Sequence, residues 1–120
     1  NHASPDQPVQ AVTIRLDEYR FEPEVITLNA GIPVQLTLIN TGKIMHEFET
    51  EALRNNDVDV VVHEVVTETQ GVNEIEIPPG GSVTLNFVPA NTGEFSVACH
   101  ATEPKNHFMQ GMKGKLIIRE

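Results

Sequence analysis

Apolar and polar residues alternate with a period of two along most of this chain, and turn-forming residues interrupt the alternation every few positions. Val12, Ile14 and Leu16 alternate with Thr13, Arg15 and Asp17; Val34, Leu36 and Leu38 alternate with Gln35 and Thr37; Val83, Leu85 and Phe87 alternate with Thr84 and Asn86. Successive side chains of a strand point to opposite faces, so each run predicts a strand with one buried and one wet face. Asn29-Ala30-Gly31, Asn40-Thr41-Gly42, Pro78-Pro79-Gly80-Gly81 and Asn91-Thr92-Gly93 supply the turns between runs. Residues 95–99 and 115–119 add two further strands, and no stretch shows a convincing helical period or an internal repeat. Short strands with frequent turns predict an all-β antiparallel sandwich or barrel. Residues 51–70 break the rhythm: Ala52 to Asn56 suit a helical turn and the Val-rich run 58–66 suits a strand, which predicts an extra excursion between sandwich strands.

A chain of 120 residues is one domain's worth, and 39% hydrophobic with 21% charged residues is enough to bury a core. The first eight residues are polar and carry Pro5 and Pro8, which predicts a flexible tether over 1–8 and a single domain over 9–120. No apolar run approaches the roughly 18 residues a membrane helix needs. The start at Asn1 without Met suggests a processed or trimmed chain. A net charge of -9 disfavours nucleic acid and anionic membrane surfaces and favours a basic partner. Cys99 is the one cysteine, which excludes an intrachain disulfide, a two-Cys zinc site and a centre bridged by two thiolates.

The chemistry concentrates in residues 99–112. Cys99 shares strand parity with Phe95 and Val97, so its thiol points inward, whereas His100 points away. Seven residues separate Cys99 from His107 and four separate His107 from Met112, enough for a loop to fold both back over the thiol. His46 shares parity with Ile44 and Phe48, an apolar face. A thiolate, two imidazoles and a thioether are the ligand set of a mononuclear copper electron-transfer site.

Gly31 to Val34, Asn40-Thr41-Gly42, His46-Glu47-Phe48, Pro79-Gly80-Gly81-Ser82, Cys99, His107 and Gly111-Met112-Lys113-Gly114 together resemble the cupredoxin family of type 1 copper proteins over roughly residues 10 to 120. The resemblance implies a Greek-key β-sandwich and an exported, periplasmic or similar, electron carrier, with room for membrane tethering through a segment ahead of Asn1. It implies His46, Cys99 and His107 as equatorial ligands of one copper ion and Met112 as the axial ligand. It also implies electron passage through an exposed edge of His107, flanked here by Pro104, Phe108 and Met109. In this chain the Cys-to-His loop is longer than in common members, and Glu47 stands where the family often has an Asn that ties the two ligand loops together.

Each candidate has a plainer alternative. Cys99 alone is a buried small hydrophobe, His46 a hydrogen-bonded core residue, and Met112 core packing with Met109 the reserve axial ligand. His100 reads as solvent-facing, His2 and His63 as surface residues, and Glu47, Glu49 and Glu51 as a solvated strand face rather than a calcium site. Residues 99–120 carry +2, four basic against two acidic residues, and leave -11 on the remainder, so the ligand loop is not acidic and the distant acidic surface steers the encounter. The expectation is a monomeric one-electron carrier that docks a redox protein such as a c-type cytochrome or an oxidase. Exported copper handling or resistance is the alternative. An enzyme is not expected, because no His-x-His pair provides a second copper centre and nothing specifies a Cys nucleophile with its oxyanion hole.

Overall fold

The computed structural model describes residues 9–120; the tether expected over 1–8 lies outside the described residues. Eleven strands follow one another: β1 Gln10–Asp17, β2 Arg20–Glu22, β3 Val25–Asn29, β4 Val34–Asn40, β5 His46–Thr50, β6 Val58–Val62, β7 Val65–Thr69, β8 Ile75–Ile77, β9 Ser82–Phe87, β10 Gly93–Ala98 and β11 Lys113–Arg119. Two single 3-10 turns, Glu51–Leu53 and Phe108–Gln110, are the helical content among the described residues. None of it is long and apolar enough to cross a membrane.

The strands form two sheets. One has the order β2-β1-β4-β9-β6-β7 and the other β3-β11-β10-β5-β8. The predicted alternation sets the inner faces: Ile14 and Leu16 of β1, Val34, Leu36 and Leu38 of β4, and Val83, Leu85 and Phe87 of β9 are all buried. From the opposite sheet, Ile26, Leu28, Phe48, Val97, Leu116 and Ile118 meet them in one core. Most pairings are antiparallel, but β1–β4 and β3–β11 run parallel. β1 and β2 thus lie in one sheet and β3 in the other, a division that no alternation pattern encodes.

The excursion at 51–70 resolves into the Glu51–Leu53 turn followed by a hairpin, and β6 pairs with β9 to extend the larger sheet. His63 and Glu64 make its two-residue turn with φ of 50° and 69°, the left-handed pair whose twist suits a tight hairpin. His63 is exposed there, as read from the sequence.

The smaller sheet positions the site. β5 opens on His46, β10 ends one residue before Cys99, and β11 starts one residue after Met112. Because β10 runs antiparallel to both β5 and β11, these three ends lie at the same pole of the sandwich.

Candidate metal centre

Strand parity aims the first ligand inward: His46, Phe48 and Thr50 of β5 are buried while Glu47 and Glu49 are half-buried. Cys99 follows β10 with its thiol fully buried, and the chain then arches through the exposed residues 102–106 before His107. The arch is closed by its own backbone. His107 N–H donates to Ala101 O at 2.9 Å, Met112 N–H donates to His107 O at 3.2 Å, and Cys99 N–H donates to Met112 O at 3.3 Å. Gly111, with φ of 101°, takes a left-handed conformation that a side chain disfavours and so turns the chain back to place Met112 in the interior.

His46, Cys99, His107 and Met112 are thus all fully buried at one pole. The ligand atoms of His46, Cys99 and His107 lie within 4.8 Å of one another. His46 Nδ1 and His107 Nδ1 are 3.1 Å apart, and Cys99 Sγ is 3.4 Å from His107 Nδ1. Nitrogen and sulfur donors bound at about 2.0 and 2.3 Å to one tetrahedrally disposed first-row ion stand about 3–3.5 Å apart, so the spacing fits a shared ion.

The proton positions are fixed from outside. His107 Nε2 lies 2.8 Å from Glu103 O, and His46 Nε2 lies 3.1 Å from Glu18 Oε1. A carbonyl and a carboxylate only accept, so both imidazoles carry hydrogen on Nε2. Both Nδ1 lone pairs then face one another and the thiol within the buried pole. A shared proton or a metal ion between these atoms relieves the repulsion of the facing lone pairs, and three buried nitrogen and sulfur donors suit the metal ion.

The electrostatics agree. Burial pushes His46 below the usual imidazole range, outweighing the opposing pull of Glu18, and keeps it neutral as a ligand must be. Burial pushes the Cys99 thiol up, against the Glu47 N–H that donates to Sγ at 3.2 Å. A soft cation is what displaces such a proton. That backbone N–H also supplies a link between the two ligand segments, whatever the side chain at 47.

Two expectations are corrected. The exposed His107 edge is absent: the ring is fully buried, with Tyr19 edge-on at 5.0 Å between centroids and Glu103 O on Nε2. The longer loop has the slack to lay the Glu103 peptide over the imidazole, so Pro104 and Met109 are exposed without exposing it. The acidic run is also not simply solvated. Glu47 and Glu49 share a cluster with Glu74, and burial followed by Glu74 repulsion pushes Glu47 up to about 7. Glu51 is exposed and pairs with Arg54 at 3.1 Å. His100 is where parity put it, half exposed and stacked on Phe108.

Sequence reasoning missed Glu18 and Tyr19, which occupy the turn between β1 and β2, outside every alternating run. It singled out Asn40 only as a turn residue. Asn40 is fully buried, donates through Nδ2 to Ile44 O at 2.9 Å and Ile77 O at 2.8 Å, and accepts from Gly42 N–H at 2.8 Å. It ties the segment leading to His46 onto β8.

Comparison with known proteins agrees with this architecture. A copper-resistant cuproprotein, CopI, of Rubrivivax gelatinosus is 29% identical over 107 residues, covering 86% of this chain and 62% of its own length, so the chain spans somewhat under two thirds of that relative. Reduced auracyanin from Roseiflexus castenholzii superposes with a TM-score of 0.62 at 17% identity, covering 91% of this chain and 96% of its own. The McoA multicopper oxidase of Aquifex aeolicus gives 0.72 at 12% identity over all of this chain but 31% of the oxidase. Both superpositions establish a common fold. The model of the cupredoxin-like domain matches residues 1–118, and this chain, with its buried His-Cys-His pole, belongs to the cupredoxin-like family.

Proposed function

We propose that this chain would hold one copper ion through His46 Nδ1, Cys99 Sγ and His107 Nδ1, with the buried Met112 thioether as a further donor, and that it serves as a one-electron carrier in an exported compartment rather than as an enzyme. The observation that carries the reading is the pair of Nδ1 lone pairs 3.1 Å apart beside a buried thiol, each fixed by an acceptor on the far side of its ring. When bound, a type 1 copper supplies reversible one-electron chemistry with little rearrangement of its ligands. The residues contribute rigidity and dryness. Backbone bonds among Ala101, His107, Cys99 and Met112 pin the loop, and the Glu47 N–H stabilises negative charge on sulfur.

With His107 covered, Tyr19 and the Glu103 peptide pack on its ring, so electron exchange with a partner would pass these groups instead of a bare imidazole edge. A basic redox protein is the partner class that the acidic charge favours.

Copper handling is the second reading, and the relative's description as copper-resistant favours it. Visible absorption and electron paramagnetic resonance after stoichiometric copper(II), with a reduced control, test the shared core. An intense thiolate-to-copper band that bleaches on reduction supports it; a colourless protein rejects it. Reversible cycling without metal release supports the carrier, whereas binding of more than one copper or rapid surrender to a chelator supports handling.

A further inference from the structure

The turn between β1 and β2 places a carboxylate behind the metal pole, and one oxygen of that carboxylate does all the work. Glu18 Oε1 lies 3.1 Å from His46 Nε2 and accepts from Lys43 N–H at 2.8 Å and Ile44 N–H at 3.2 Å. Gly42 leaves the space: a Cβ there would collide with the Glu18 carboxylate. The side chain is 29% exposed, so its charge is only partly screened.

We infer that Glu18 is a positioning residue for His46 that adds a fixed negative charge behind the ring and thereby favours copper(II) over copper(I). The inference rests on the copper reading above and deepens it. Three lines on the page support it. The carboxylate fixes hydrogen on Nε2, which leaves Nδ1 as the ligand atom. An anionic acceptor raises the donor strength of the imidazole more than the neutral carbonyl that performs the same service for His107. The carboxylate and the Cys99 thiolate together match the charge of a divalent ion, while a monovalent ion leaves one negative charge uncompensated, although Glu18 is an exposed residue and solvent screens part of it.

The same geometry provides a clean separation of charge from structure. Because Oε1 alone serves all three donors, Glu18→Gln can keep every one of these hydrogen bonds and remove only the charge. A purely structural role changes affinity for both oxidation states together, whereas the charge acts on their ratio.

The experiment measures copper(I) and copper(II) affinities by competition with chelators, and the reduction potential, for wild type and Glu18→Gln. The expected result is a roughly tenfold loss of copper(II) affinity with copper(I) affinity nearly unchanged, which corresponds to a rise of about 59 mV. Glu18→Asp, which keeps the charge one methylene away, should recover part of that shift. Equal losses for both ions, or an unchanged potential, overturn the inference while the wild-type visible band leaves the copper reading standing. A wild type without that band overturns both. A measurement on unsubstituted protein guards against a variant that fails to fold: nitrogen-15 shifts of His46 in the metal-free state should report hydrogen on Nε2, and hydrogen on Nδ1 would overturn the assignment.

Discussion

Asn40→Ala is the sharpest test of what holds His46 in place. The side chain is fully buried and makes three hydrogen bonds, two as donor to Ile44 O and Ile77 O and one as acceptor from Gly42 N–H. The Ile77 bond is buried, so losing its donor strands a carbonyl away from water at about 1–3 kcal/mol. The other two are partly reached by solvent and cost nearer 0.5–1.5 kcal/mol each, since water can replace the amide. The expected loss is therefore about 2–6 kcal/mol, a large share of a small domain's stability.

The neighbouring backbone bonds, Asn40 N–H to Gly81 O and Gly80 N–H to Asn40 O, do not depend on the side chain, so β4 should persist. The damage falls on the segment between Asn40 and His46. Urea unfolding of the metal-free protein, followed by far-ultraviolet circular dichroism, gives the stability change, and copper titration gives the effect on the site. Asn40→Asp is the sharper companion: it retains an acceptor for Gly42 but aims a second oxygen at two carbonyls. It should be at least as damaging at neutral pH and recover as pH falls, because protonation restores one donor. A loss under about 1 kcal/mol for Asn40→Ala would refute the claim that this amide clamps the His46 segment.

Other expectations follow from the same geometry. Glu47, pushed up to about 7 by burial and by Glu74, binds its proton more tightly in the folded chain, so metal-free stability should fall as pH rises from about 4.5 to 7. Glu47→Gln should flatten that slope and stabilise the protein above pH 7, while its backbone N–H keeps its bond to Cys99; urea midpoints across pH measure it. Met112→Leu should retain copper and raise the reduction potential by removing the axial donor, as voltammetry would show. His107→Ala should abolish the thiolate-to-copper band and His100→Ala should leave it; the reverse outcome would overturn the parity assignment of the two imidazoles.

The alternation made most of the sandwich legible. The runs around Val12–Leu16, Val34–Leu38 and Val83–Phe87 became β1, β4 and β9 with the predicted faces inward, because burial of a strand face is written in every second residue. The parity that turned Cys99 and His46 inward and His100 outward worked for the same reason. The parallel pairings of β1 with β4 and β3 with β11 were not legible, since side-chain period is blind to strand direction. The burial of His107 escaped for a different reason: it depends on a loop peptide and on Tyr19, contributed from 88 positions earlier in the chain. Glu18 carries no local signal, because its meaning lies in an oxygen delivered by a turn to a ring on another strand.

That cover separates the two functional readings. An electron can cross a packed aromatic ring without moving it, but an ion leaving by the His107 side must displace Tyr19 or pull the Glu103 carbonyl from Nε2. Lys105 lies 5.4 Å from the Tyr19 ring centroid and holds the outer face of that ring, so the cover is itself anchored. An edge-to-face aromatic contact contributes about 0.5–1.5 kcal/mol beyond its area. If the contact is broken before release, Tyr19→Ala should speed removal of copper by a chelator about 2- to 13-fold while the thiolate-to-copper band keeps its intensity. Stopped-flow bleaching of that band on adding the chelator gives the rate directly. An unchanged rate would mean that the ion leaves past Met112 or Cys99 and that Tyr19 is no gate. A faster release with undiminished electron exchange would identify the ring as a lid on the metal and leave the electron path to the Glu103 peptide.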